Sequence, residues 1–441
     1  MHEVGMLIPS LTGTWLGIVS IIVFVVGYYF IATEEKYHIN KAKPAMFIGT
    51  FLFMLIGVYF MVNGLDMKSL NHELSDLILE IAELYFFLFI AMTFIETLIE
   101  RRVFKSLKYK LVSRGWSYKK LFWTTGFLAF FLSPIVDNLT TALILSTVLL
   151  TIDKKNKAFL VPSAIGIVVA ANAGGAWSPF GDITTLMVWT EGKGNFTDFL
   201  FLFPSAVIGW LVTAGLLSNF IPKGKPKFDV HTEEKPKLKD GAKVIIFLGI
   251  FTIVLAVLSH QLFHFPAMWG MMFGMSLLKL YAYSLKKRAN EATFDVFASM
   301  KLVENDTLLF FFGILSAVGA LHYIGFLNYI VDLYNIIGPT SGNIAVGFIS
   351  AVVDNVPVMS AILKANPDML ISQWMLVTLT AGIGGSLISF GSAAGVGVMG
   401  KMKGIYTFGS HFKYGWTILI GYMVSMIIWY TQYEVLGLYI K

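Results

Sequence analysis

No cysteine occurs among the 441 residues. Disulfides, thiolate metal sites and thiol catalysis are therefore excluded, and the redox compartment is unreadable. Charge is scarce as well: Asp, Glu, Lys and Arg make up 14% of the chain, against 56% hydrophobic residues and a mean hydropathy of +0.72. Apolar runs this long and this numerous do not fit in a soluble core, so the chain reads as an all-α polytopic membrane protein. The first apolar run, near 11–32, has no basic stretch before it and no small-residue cleavage site after it, and is expected to be a retained span.

Hydropathy places spans near 12–32, 45–63, 76–99, 157–190, 199–220, 242–259, 266–284, 304–322, 371–400 and 412–432. Two apolar segments need another account. As one helix, 121–152 would be about 48 Å long against a hydrocarbon core of about 30 Å. It is too long for one span and too short for two plus a turn. A re-entrant hairpin folded at Pro134 to Asn138 fits the length and explains the polar residues in its middle. The segment 342–364, centred on Asp354-Asn355-Val356-Pro357, is read as a second hairpin from the repeat described below.

With both hairpins returning to the side they enter, 29 of the 33 basic residues fall on one side, and Lys68, Lys193, Lys364 and Lys441 on the other. The basic side is then cytoplasmic and both termini lie outside. A single crossing at 121–152 would instead expose the basic loop Lys223 to Lys243. Because the net charge of +6 is topogenic, it does not indicate a nucleic-acid partner. Val103, Phe104, Leu107 and Leu111 recur at helical spacing opposite Lys105, Lys108 and Arg114, as in an interfacial helix on the anionic inner leaflet of the lipid bilayer. Residues 222–241, charged and Pro-containing, form a cytoplasmic linker between a first half, 1–221, and a second, 242–441.

The halves repeat. Ser133, Val136, Asp137 and Asn138 align without a gap on Ser350, Val353, Asp354 and Asn355; Gly174, Gly175, Phe180 and Gly181 then align on Gly384, Gly385, Phe390 and Gly391. Each half thus carries a hairpin with an Asp-Asn tip (137–138 and 354–355), followed by a discontinuous transmembrane helix (broken at 172–185 and 382–395). An odd number of crossings separates equivalent points, so the repeats are inverted. Interrupted helices at matching positions of inverted repeats point to a secondary transporter's binding site. Glycines alone would be read as packing surfaces and one Asp-Asn pair as structural, but two matched pairs with two matched breaks are not explained that way.

Side chains decide the ligand. Asp137, Asp182 and Asp354 supply negative charge, Asn138, Asn172 and Asn355 neutral oxygens, and Thr184, Thr185, Ser386, Ser389 and Ser392 hydroxyls. An oxygen-rich, acidic set suits a small hard cation. A proton and a metal ion compete for the same carboxylates, so a site open to each side in turn performs cation/proton antiport. Asp137, Asp182 and Asp354 are the proton-coupling candidates, with Glu83 a further candidate on the proton path. Glu96 reads as an interfacial anchor, Glu304 and Asp306 as solvated helix-start charges, and His260 and His264 as surface histidines lacking a third ligand.

Ser133-Pro134-Ile135-Val136-Asp137-Asn138-Leu139-Thr140-Thr141, Asn172-Ala173-Gly174-Gly175-Ala176-Trp177-Ser178-Pro179-Phe180-Gly181-Asp182-Ile183-Thr184-Thr185, Val353-Asp354-Asn355-Val356-Pro357 and Ile388-Ser389-Phe390-Gly391-Ser392 resemble the NhaD-type sodium/proton antiporters of the ion-transporter superfamily. The resemblance covers most of both halves. It implies a bacterial inner-membrane protein, without cofactor, exchanging internal Na⁺ or Li⁺ for external H⁺. It further implies a homodimer whose transport domain moves as an elevator. The family's functional positions fall on Asp137, Asn138, Asn172, Asp182, Thr184, Thr185, Asp354 and the second break's serines. Dicarboxylate carriers of the superfamily place Ser-Asn-Thr at the hairpin tips. Asp stands at that serine position here in both halves and would repel a carboxylate.

Two rivals remain. One is a Na⁺-coupled anion or metalloid carrier of the same fold, which the tip aspartates disfavour. The other is an enzyme, an intramembrane aspartyl protease with two carboxylates in acid/base roles. Its Gly-x-Gly-Asp signature is missing, since Pro179-Phe180-Gly181 precedes Asp182, and it leaves the repeat unexplained.

Overall fold

The computed structural model describes residues 10–37, 39–226, 236–289 and 295–438. Both predicted outer termini, and the linker's middle at 227–235, lie outside them. The described residues contain helices and no strand. Seven helices among them are long and apolar enough to cross a membrane. Helix ends follow local signals: Thr14 accepts from the Gly17 amide before Trp15–Ala32, and Ser117 accepts from the Lys120 amide before Tyr118–Val136. The basic amphipathic segment is helical over Val103–Val112, with Val103, Phe104 and Leu107 half-buried and Lys105 exposed. The side chains of Lys108 and Leu111 lie outside the description.

Helices stop where the polar stretches interrupt the apolar pattern. Tyr118–Val136 gives way to Asn138–Ile152, and Pro339–Val352 to Asn355–Ala365. Lys157–Ala176 stops before Ile183–Thr190, and Ile371–Gly384 before Ala393–Lys401. The first arm, with 19 residues, is about 28 Å long, and the 15-residue second arm about 22 Å.

The chain divides into two compact units, each drawn from both sequence halves. One comprises residues 1–85, 304–338 and 360–367. Its core is the crossing of Ala42–Val62 with Asn305–Ile324, where Gly49 lies against Gly313 and a Cβ on either would meet the other helix's backbone. Asp306 sits in the first turn of Asn305–Ile324, as expected of a helix-start charge, and accepts from Asn40 Nδ2 at 2.6 Å. Lys364 pairs with Glu80, which accounts for one of the basic residues found against the charge bias.

The other unit comprises 86–303, 339–359 and 368–441. At its centre runs Lys157–Ala176, buried at every residue from Phe159 to Ala176. Tyr118–Val136, Asn138–Ile152, Phe203–Ser218 and Ile371–Gly384 pack around it. Within this unit Ala393–Lys401 also packs on Asn138–Ile152, so the helix after the second break lies on the arm after the first tip. Ala242–Phe263 has the opposite character: only 22% of its span is buried, and Phe247, Ile250 and Val254 face outward, as a lipid-facing surface requires. His260, expected as a surface histidine, lies half-buried in this helix with its ring 4.4 Å from that of Trp189. The helix continues three residues beyond it, and the Trp189 ring covers part of the imidazole.

Candidate functional site

The two breaks share a backbone. Ser133 Oγ donates to the Ala171 carbonyl at 2.6 Å, and Ser350 Oγ to the Ala381 carbonyl at 2.8 Å, which are matched positions of the two halves. Each break then folds back so tightly that a Cβ on Gly175 would lie 2.5 Å from the Gly181 carbonyl oxygen. On Gly385 it would lie 2.6 Å from that of Gly391. Only glycine tolerates such an approach, which is why the Gly-Gly and Phe-Gly pairs recur. Past each fold, Asp182 accepts from the Thr184 amide at 3.1 Å and Ser392 from the Gly395 amide at 3.3 Å, starting the next helix.

The tips point polar groups at the first break. Asn138 Nδ2 donates to Asn172 Oδ1 at 3.0 Å and to Asp182 Oδ2 at 2.6 Å, and Asn355 Nδ2 reaches the same oxygen of Asp182 at 3.0 Å. Asn172 Nδ2 in turn donates to Ser386 Oγ and Ser392 Oγ of the second break, both at 2.8 Å. Both tips and both breaks thus join in one buried network, in which the carboxylate of Asp182, 4% exposed, accepts from both tips. Its donors are two side-chain amides and a backbone amide, none of them cationic.

The other expected residues have varied places. Asp137 accepts from the Thr140 amide at 2.8 Å and the Thr140 hydroxyl at 2.9 Å, capping the second arm with its own backbone at φ 68°. Positive φ is costly for a residue with a Cβ, and Arg102, His264 and Asn366 share it. Asp354, without positive φ, accepts from the Val356 amide at 3.4 Å. The Thr185 hydroxyl is committed to the Asp182 and Pro179 carbonyls. Thr184 and Ser389 are buried, and the Ser389 hydroxyl has no hydrogen-bond partner among the described residues. Glu83 is half-buried in the unit that does not contain the network. Among the described residues no three His, Cys, Asp or Glu side chains stand close enough to hold one metal ion. A cation here would draw on amide, hydroxyl and carbonyl oxygens around few carboxylates.

Sequence reasoning missed His411, which is fully buried. Its Nε2 lies 2.9 Å from the Ser386 carbonyl oxygen and its Nδ1 2.7 Å from the Tyr406 hydroxyl. A carbonyl only accepts, so Nε2 carries the proton and Nδ1 receives that of Tyr406. Burial pushes the imidazole down to about 4, which keeps it neutral. Its position in a loop-like stretch gave no signal. Asp137 and Asp182 also line a small cavity of about 40 Å³, walled mostly by apolar side chains.

The chain matches, over residues 28–382, the family model described as "Citrate transporter". Similar proteins include the Na(+)/H(+) antiporter NhaD of Alkalimonas amylolytica, 43% identical over 95% of this chain and 91% of the relative. That of Vibrio cholerae is 42% identical over 95% and 92%. Sodium/proton antiporter 1 of Arabidopsis thaliana is 28% identical over 91% and 72%.

Proposed function

The chain belongs to the NhaD sodium/proton antiporters, within the wider citrate-transporter family, and from this membership and the network around Asp182 we propose that it exchanges cytoplasmic Na⁺, or Li⁺, for external H⁺. The observation that carries the proposal is the convergence of both tips on one buried carboxylate, in a network that Asn172 extends to the second break. The chain is a multi-pass membrane transporter and not an enzyme, as its relatives are.

The exchange follows from competition. Asp182, Asp137 and Asp354 bind either protons or, with the oxygens of Asn138, Asn172, Asn355, Thr184, Thr185, Ser386, Ser389 and Ser392, a dehydrated cation. A side-chain amide presents hydrogens at one end and oxygen at the other. Asn138 and Asn355 donate to Asp182, and a half-turn offers their oxygens to a cation instead. Alternating exposure of this site then couples the two fluxes. The repeats are taken as inverted and the hairpins as re-entrant, supported by the matched serine bonds and glycine folds. Elevator motion, a homodimer, the bacterial inner membrane and outward termini complete the proposal, as does a proton-path role for Glu83.

The family description favours one other reading, transport of a carboxylate anion. Asp182 and the tip aspartates would repel it, and among the described residues no cationic group binds Asp182. Liposomes with an inside-acid gradient and a quenched pH dye separate the two. Dequenching on addition of NaCl or LiCl, lost in Asp182→Asn, is expected. No cation response at any pH from mildly acid to strongly alkaline, with citrate uptake instead, would replace antiport by anion transport.

A further inference from the structure

The second break is held from outside its own fold, by the stretch from Gly404 to Phe412 that follows the next helix. The Phe408 ring stacks on that of Phe390 at 5.7 Å with planes 26° apart, and His411 Nε2 donates to the Ser386 carbonyl at 2.9 Å. The stretch is itself fixed: Lys157 Nζ donates to the Gly404 carbonyl at 2.9 Å, and the Tyr406 hydroxyl to His411 Nδ1 at 2.7 Å. The first half has the same part in apolar form. There a capping box at Asn195 opens a five-residue helix, Phe196–Leu200, as one at Thr407 opens Phe408–Phe412, and the Phe196 ring lies 6.2 Å from that of Phe180. Counted from these caps, Phe199 matches His411, and both are fully buried. Counted from the glycine pairs, Ala176 matches Ser386. An imidazole and a hydroxyl thus occur together in one half, and a phenyl ring and a methyl group in the other.

We propose that His411 is a positioning residue for the cation site. Its bond fixes the Ser386 peptide, and with it a hydroxyl oxygen that accepts from Asn172 Nδ2 at 2.8 Å. Asn172 in turn accepts from Asn138, which donates to Asp182. A buried imidazole costs free energy unless its nitrogens are bonded, and here one of the two bonds goes to the break. The consequence for Na⁺, unlike the bond itself, rests on the antiport reading.

Two amides separate the two bonds. In His411→Asn the amide falls where Nδ1 stood, keeping Tyr406 but ending short of Ser386; in His411→Gln it reaches the place of Nε2 and keeps the donor to the Ser386 carbonyl. In proteoliposomes of the full-length protein, His411→Asn should raise the apparent KM for Na⁺ about fourfold at an unchanged maximal rate. His411→Gln and Tyr406→Phe should keep the wild-type KM, although both lower the unfolding temperature. With Ser386→Ala already in place, His411→Asn should add no further rise. Na⁺ binding in detergent, read from the rise in unfolding temperature with NaCl, should weaken in His411→Asn by the same factor. Three results overturn the proposal and leave antiport standing: KM equal in His411→Asn and His411→Gln, KM that follows the unfolding temperature across the three variants, or a full further rise beside Ser386→Ala. Wild-type protein that binds Na⁺ without exchanging it removes the antiport reading; weaker binding in His411→Asn than in His411→Gln then upholds the role of His411, and equal binding overturns it.

Discussion

The two broken helices have one backbone and two chemistries. Both are fastened by a serine to a carbonyl, both fold through glycines that admit no Cβ, and both restart with a side-chain cap. The cap is Asp182 in the first and Ser392 in the second, and the position of Asn172 is Gly382 in the second. The first break therefore carries the charge and receives both tips. The second offers hydroxyls and is steadied from behind by the neutral His411. The repeat supplies a frame, and binding is concentrated on one side of it.

The sharpest way to break this comparison is to remove each cap. Asp182→Asn is expected to lower Na⁺-driven proton movement at least a hundredfold, because hydrogen bonds to a charged group are each worth about 1.5–3 kcal/mol and several are lost together. Ser392→Ala should raise the apparent KM for Na⁺ only a few-fold. Equal losses would mean that the halves contribute alike. The reciprocal exchange, Asp182→Ser with Ser392→Asp, should stay inactive in the dye assay, since Asn138 and Asn355 converge on position 182; recovered transport would contradict the one-sided site.

The tips come next. Asn138 makes two bonds in the network and Asn355 one, so Asn138→Ala should raise the KM by about thirtyfold and Asn355→Ala by about tenfold. Reversal of that order would place the cation nearer the second tip. His411 distinguishes the second break by pH. Held neutral at about 4 against 6.5 in the open chain, it contributes stability that is complete above pH 6.5 and lost as pH falls towards 4. Thermal unfolding in detergent should show that decline for the wild type and a shallower one for His411→Gln. The smallest effects should be equal: Ser133→Ala and Ser350→Ala each cost about 1 kcal/mol, read from the same unfolding experiment.

The sequence displayed what is local. Polar tips inside apolar runs marked the helix ends at Val136 and Val352, and the glycine pairs marked the folds after Ala176 and Gly384. Partnerships across the chain were not legible. Nothing in spacing indicates that Asn355 meets Asp182, 173 positions away, or that Asn172 meets Ser392, 220 away. Nor could it show that the compact units draw on both halves, because helix packing depends on which faces meet in space. His411 was invisible for a related reason: its short helix, Phe408–Phe412, lies between basic residues and reads as a surface loop, yet the side chain is turned inward under Tyr406.

Asn172 gives both its hydrogens to serines and takes one from Asn138. Turned end for end, it would set its hydrogens against those of Asn138, so the two amides are meshed like gears and reverse only together. Ser386 and Ser392 place no such demand, since a hydroxyl swivels from acceptor to donor at little cost. The second break follows the rotation of the first without resisting it.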